Sequence, residues 1–272
     1  MANQDSETVR VTYAHDTKEI VIIAINRPSR RNAVDRITAQ KLYDAFRAFE
    51  DDDTLKVCVF HGSDGTFCAG YDLHSVSRSE QASEPPCPRV SGRNIASMGP
   101  SRLQVKKPVI AAVAGHAVAG GLELSLIADL RVVEEDAIFG VFCRRWGVPL
   151  IDGGTVRLQA IIGLGRAMDM ILTGRPVTAQ EALSIGLANR VVPKGKAVDE
   201  ALALAKHLIT FPWLCLTVDR ESCYYAAYNA TSLEDALTFE FDGGMEAVQK
   251  EAVQGAARFS AGAGRHGSFE KL

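Results

Sequence analysis

The chain has little of several things that would settle its class at once. Its charge is nearly balanced, with 30 Lys and Arg against 33 Asp and Glu in 272 residues and a net charge of −3. No general attraction to nucleic acid or to an anionic membrane surface is therefore expected. Long apolar runs are missing, and none approaches the roughly 20 residues that a helix needs to cross a bilayer. Cys58, Cys68, Cys87, Cys143, Cys215 and Cys223 contain no CxxC-like pair, which argues against a metal site. No GxGxxG follows the early strand-like segments, so a dinucleotide-dependent dehydrogenase is not supported. The opening MANQDSETVR has no apolar export segment, and the cysteines are expected to be reduced thiols of a cytoplasmic protein. What is present is 47% hydrophobic residues, enough for one large core, near the upper end for a single domain or one domain with an appendage. Small molecules or other subunits are the expected partners.

The most informative stretch runs from Pro108 to Arg131, PVIAAVAGHAVAGGLELSLIADLR. Val109 to Val113 is a short β-branched run of the kind that forms a buried strand, and Gly115 to Gly121 has the small residues of a tight turn. From Gly120 onward Leu122, Leu126 and Leu130 recur at four-residue steps, the spacing of a helix face, with Glu123 one residue off it. A strand that bends through glycines into a helix gathers free N–H groups and the positive end of the helix dipole at Gly120 and Gly121, where a developing anion would be stabilised. Strand–glycine–helix corners are common, and this one alone does not decide between packing and function. A second glycine corner, Gly65 to Leu73 (GTFCAGYDL), stands upstream.

Elsewhere the pattern predicts paired strands at Val9 to Tyr13 and Ile20 to Asn26, a helix over Thr38 to Asp51, and a strand over Leu55 to His61. Ser75 to Lys107 is irregular, rich in Ser, Pro and charge, with a short helix expected from Asn94 to Val105. Gly165 to Thr173 and Thr178 to Ile185 are expected helices, the second opened by a Thr178–Glu181 capping box. Arg190 to Val192 is a short strand. From Ala197 to His207 and on through Phe259 about three amphipathic helices are expected, with a break at Phe211–Pro212–Trp213.

Together, AVAGHAVAGGLEL and GTFCAGYDL resemble the two signatures of the crotonase family, also called the enoyl-CoA hydratase/isomerase superfamily. INRPSRRNAV (Ile25 to Val34) and FGVFCRRWGVPLIDGGTVRL (Phe139 to Leu158) are similar to its opening and later motifs, in the same order. The resemblance implies an α/β fold, a spiral of ββα units in 1–195, followed by a helical trimerisation module in 196–272. It implies an acyl-CoA thioester substrate, no cofactor beyond the coenzyme A of that substrate, and a homotrimer or dimer of trimers. The N–H groups of Tyr71 and Gly120 would form the oxyanion hole, and Glu123 would be the acid–base carboxylate. Arg27, Arg31, Ala33, Ala69, Asp72, Leu73 and His74 match positions that meet coenzyme A, although Arg27, Arg30 and Arg31 equally suit a solvated basic turn and His74 an ordinary loop. Arg265 and His266 could approach the phosphates.

The sequence departs from the family's hydratase pattern at one place. Cys143 stands where a second carboxylate is expected, and an ordinary thiol is mostly neutral at pH 7. Asp152, nine residues on, could supply that carboxylate or could cap the helix that Gly153 and Gly154 introduce. Hydration, double-bond isomerisation, which needs only one carboxylate, other reactions of the family such as thioester hydrolysis or carbon–carbon cleavage, and acyl-CoA binding without turnover all stay open at this point.

Overall fold

A computed structural model describes residues 7–74 and 88–262. Much of the irregular Ser- and Pro-rich stretch, and the tail with Arg265 and His266, lie outside the described residues. The chain divides into two compact units, one ending at Ala205 and the other beginning at Lys206. The division falls within a helix, ten residues beyond the boundary drawn from the sequence.

In the first unit, β1 (Val9–Tyr13) and β2 (Ile20–Ile25) pair antiparallel, with Val9 opposite Ile25 and Tyr13 opposite Val21. β3 (Val57–Gly62), β4 (Val109–Val113), β6 (Leu130–Glu134) and β9 (Arg190–Val192) continue the sheet in parallel, in the order β1-β2-β3-β4-β6-β9. All five residues of β4 are buried, as expected of a central parallel strand covered on both faces. A smaller sheet joins β5 (His116–Val118), β7 (Ile138–Gly140) and β8 (Val177–Thr178). Helix α1 (Arg36–Asp51) begins at Asp35, whose carboxylate accepts from the Thr38 N–H. It buries Leu42, Phe46 and Phe49. Phe46, Phe60 and Phe67 meet edge to face with centroids 5.2 Å apart, a geometry that favours aromatic pairs.

Two expectations drawn from periodicity are overturned by tertiary contacts. Helix α2 occupies only Gly120–Ser125, and Leu130 belongs to β6, opposite Ile110. The buried Arg131 guanidinium donates to the carbonyls of Ser125, Ala128 and Leu187, which terminates the helix with a tertiary partner that leucine spacing cannot reveal. The expected helix from Asn94 to Val105 reduces to a single 3-10 turn at Pro100–Arg102. Gly99 precedes it at φ +77°, a conformation that breaks a helix, and Pro100 cannot donate.

The remaining helices of this unit are α3 (Gly154–Ile162), α4 (Leu164–Thr173), α5 (Ala179–Ser184) and α6 (Ala197–Leu208), the last crossing into the second unit. Thr178 caps α5 by accepting from the Glu181 N–H at 3.3 Å, one half of the expected capping box, while the Glu181 carboxylate turns to Arg175. The second unit contains α7 (Trp213–Tyr228) and α8 (Leu233–Ala247), then a π-helical turn at Val248–Ala252 and α9 (Val253–Ser260). Tyr225 stacks on Phe239 at 4.0 Å and donates its hydroxyl to Asp235, fixing α7 against α8. Among the described residues no single helix is long and apolar enough to cross a membrane.

Candidate active site

The two glycine corners are sewn together by backbone bonds. The Phe67 N–H donates to the Ala114 carbonyl, the Cys68 N–H to His116, and the Val118 N–H back to Cys68. Gly70 adopts φ +102°, and a Cβ there would lie 2.9 Å from the Ala119 Cβ and 3.2 Å from the Gly120 nitrogen. Only glycine permits this approach, which sets the peptide before Tyr71 against the start of α2. Gly120 opens α2, so its N–H is one of those a helix leaves without an intrahelical acceptor. The residue just before α2, Ala119, is held at φ +54° and ψ −126° with its N–H on the Gly140 carbonyl. Backbone held this way in a residue other than glycine stores about 1–3 kcal/mol.

Glu123 sits one turn into α2 and is only 3% exposed. Its Oε1 accepts from the N–H of Asp152 at 2.9 Å and of Gly154 at 2.8 Å. Burial, with the Asp152 carboxylate adding to it, pushes its carboxyl up from the ordinary 4.5 to about 7, against the opposing pull of the two amides and of Arg157. The group therefore exists in both protonation states near neutral pH, the condition under which one side chain can take and return a proton. A Cβ at Gly154 would stand 2.8 Å from the Glu123 Cγ, so the second glycine of LIDGG is required by the carboxylate that it holds. Cys143 lies within the field of Glu123. Its thiol is raised by burial and by that negative neighbour, which keeps it neutral.

Asp152 is also 3% exposed. Its Oδ1 accepts from the Met98 N–H at 2.9 Å and from the Ser101 hydroxyl at 2.5 Å. Met98 in turn lies against Gly120, where a Cβ would be 2.6 Å from the methionine sulfur. Arg157 donates to the carbonyls of Ser101 and Leu103. Met98, Ser101, Arg157 and Ala119 are structural members of this site that the sequence did not point to. Met98 and Ser101 come from an irregular stretch with no motif, and the strain at Ala119 has no sequence signature.

The residues matched to coenzyme A positions also come together. The Ala69 N–H donates to the Arg31 carbonyl, the Val34 N–H to Gly70 and the Asp72 N–H to Val34, so the loop after β2 runs beside the Gly70–His74 corner. Arg31, Leu73 and His74 are exposed there, Ala33 and Ala69 half-buried, and Asp72 buried. Arg27 is engaged within the protein. Its guanidinium pairs with Asp72 at 3.2 Å and Asp35 at 2.8 Å and donates to the Ala33 carbonyl. The exposed basic groups on this loop are Arg30 and Arg31. Among the described residues no group of three His, Cys, Asp or Glu side chains converges as a metal site.

A spiral of short parallel strands and helices around two joined glycine corners, with a buried glutamate one turn past the second, defines a crotonase-fold acyl-CoA protein. The chain belongs to the enoyl-CoA hydratase/isomerase family, whose model matches residues 15–261. It is 37% identical over 192 residues to an enoyl-CoA hydratase of Mycobacterium tuberculosis, covering 68% of this chain and 69% of that one. It is 32% identical over 231 residues to a carnitinyl-CoA dehydratase of Proteus mirabilis, covering 85% and 84% of the two chains. The crystal structure of an enoyl-CoA hydratase from Mycobacterium tuberculosis superposes with a TM-score of 0.82 at 32% identity, covering 93% of this chain and 96% of that one. The protein is enoyl-CoA hydratase-like in sequence and fold.

Proposed function

We propose that this chain catalyses the reversible addition of water to a 2-enoyl-CoA thioester, with Glu123 as the single acid–base group. The observation that carries this reading is a buried glutamate whose carboxyl is held by two amides and raised to about 7, one turn beyond Gly120. In the hydration direction the Glu123 carboxylate takes a proton from water as the water oxygen bonds to C3. The C2–C3 electron pair moves toward the thioester oxygen, which accepts hydrogen bonds from the N–H groups of Tyr71 and Gly120. Glu123 then delivers its proton to C2, the carbonyl re-forms, and the carboxylate is restored. Loss of one such oxyanion donor typically removes about 3 kcal/mol of transition-state stabilisation. Arg30 and Arg31, with Ala33, Ala69, Leu73 and His74, would meet the nucleotide end of coenzyme A. Arg27 and Asp72 shape that end through their ion pair.

A second reading, movement of the double bond between C2–C3 and C3–C4, is favoured by Cys143, which leaves one carboxylate where the hydratase pattern has two. The same glutamate would take a proton from C2 of a 3-enoyl thioester and return one to C4. Purified protein assayed with crotonyl-CoA and with a 3-enoyl-CoA separates the two, since hydration removes the conjugated-thioester absorbance and isomerisation creates it. Binding of both thioesters without turnover of either would overturn both readings. Under either, Glu123→Gln lowers kcat at least about a hundredfold and leaves acyl-CoA affinity within about threefold.

We also infer a homo-oligomer. On α8, Leu233, Leu237, Phe241 and Met245 recur at four-residue steps and are 37–76% exposed, a stripe large enough to favour burial against another chain. Light scattering on the wild type and on Phe241→Asp tests this, with a smaller species expected from the variant.

A further inference from the structure

Asp152 lies in the field of Glu123, and its carboxylate is engaged by the protein itself. Its backbone N–H is bonded to Glu123 Oε1, and its Oδ1 accepts from both the Met98 N–H and the Ser101 hydroxyl. Met98 and Ser101 are 1% and 0% exposed, so each of these donors would be left without water if the acceptor were removed. The segment so held is the one whose methionine lies on Gly120, the glycine whose N–H would meet the thioester oxygen in the proposed function. Arg157, from α3, grips the same segment by its carbonyls, donating to Ser101 at 2.6 Å and Leu103 at 3.1 Å. The buried Asp152 and the half-buried Arg157, of opposite charge, thus hold a wall with little regular structure of its own against the oxyanion corner.

From this geometry we infer that Asp152 is a positioning residue: its carboxylate anchors the Met98–Leu103 wall over Gly120, its main-chain N–H fixes Glu123, and its negative charge acts on Glu123 without touching the substrate. The inference deepens the proposed function and rests on Glu123 as the proton carrier. It also accounts for how a chain with cysteine at position 143 keeps a carboxylate partner beside Glu123. The partner tunes and places the working glutamate, and it does not hold the water. The titratable and charged groups facing Glu123 among the described residues are Asp152, Arg157 and Cys143. Cys143 is kept neutral, so removing the charge of Asp152 leaves burial alone to oppose Arg157 and the two amides acting on Glu123. The glutamate must then titrate at lower pH.

Three variants of the full chain test this. Asp152→Asn keeps an oxygen that accepts from Met98 and Ser101 but carries no charge. It is expected to move the acid limb of kcat/KM downward by at least about half a pH unit, with plateau kcat within about tenfold of wild type. Asp152→Ala removes the acceptor as well, and plateau kcat is expected to fall at least about tenfold below that of Asp152→Asn. Hydrogen exchange at the Met98 amide gives a readout independent of turnover: protected in wild type and Asp152→Asn, fast in Asp152→Ala. If Asp152→Ala does not fold, Ser101→Ala replaces it, with faster Met98 exchange and a severalfold lower kcat expected. An acid limb that stays in place in Asp152→Asn overturns the inference, as does a plateau kcat as low as that of Glu123→Gln, or Met98 exchange unchanged in the Ala variant. Wild-type turnover in Glu123→Gln would instead sink the functional reading, while the exchange data would still judge the anchoring of the wall.

Discussion

At one end of the site Glu123 and Asp152 are each 3% exposed and bonded to main-chain amides, whereas at the other end Arg30, Arg31, Leu73 and His74 stand in solvent on the loops that flank Asp72. The difference follows from what each end has to do. A proton carrier must have its affinity for the proton moved toward neutral pH, and burial beside a second carboxylate is the means available to a glutamate. Recognition of phosphates requires only positive charge within reach, and an exposed arginine keeps its full charge at every relevant pH. The buried end should therefore be sensitive to pH and to single atoms, and the exposed end to salt. The half-buried arginine at the exposed end, Arg27, fits the same rule, because its 13% exposed side chain is matched by Asp35 and Asp72.

The largest effect that would break this contrast is at Glu123 itself, where replacement by glutamine abolishes most turnover and spares binding. Its thermodynamic counterpart is a matter of sign. The folded-state value is raised above the ordinary 4.5, so the stability linked to this group is fully present below 4.5 and is lost as pH rises through about 7. At about 1.4 kcal/mol for each pH unit, the wild type should lose on the order of 3 kcal/mol relative to Glu123→Gln between pH 4.5 and pH 7.5. Denaturant melts of the two proteins across that range check it, and parallel curves would show that the carboxyl is not buried as described. Next in size, Asp72→Asn leaves the half-buried Arg27 with one carboxylate instead of two and is expected to destabilise the fold by about 1–3 kcal/mol with little change in kcat. Smallest is Arg31→Ala, expected to raise KM for the thioester about two- to fivefold at low salt with kcat unchanged, the difference fading above about 0.3 M salt. A pH-dependent kcat defect in Arg31→Ala would erase the distinction between the two ends.

Much of this was legible because the relevant signals are local. Val109 to Val113 is a strand and the helix carrying Glu123 opens at Gly120 because β-branched runs and glycines act within a few residues, although His116–Val118, expected within a tight turn, forms the short strand β5. Thr178 and Glu181 form the capping contact their spacing predicts. What could not be read depends on partners distant in sequence. The leucine spacing through Leu130 is helical, but the pairing of Leu130 with Ile110 and the reach of Arg131 to Leu187 decide otherwise. Arg27 has the appearance of a phosphate ligand until Asp72, 45 residues away, is found against it. Asp152 was readable as a carboxylate near the site, and its attachment to Met98, 54 residues earlier, was not.

The central claim is that Glu123 is half-protonated near neutral pH in the free protein. Carbon-13 NMR of the chain labelled at glutamate side-chain carboxyls, with Glu123→Gln used to assign the resonance, reads this directly. The Glu123 carboxyl is expected to titrate with a midpoint of about 7. A Glu123 signal already fully ionised at pH 6 would contradict it.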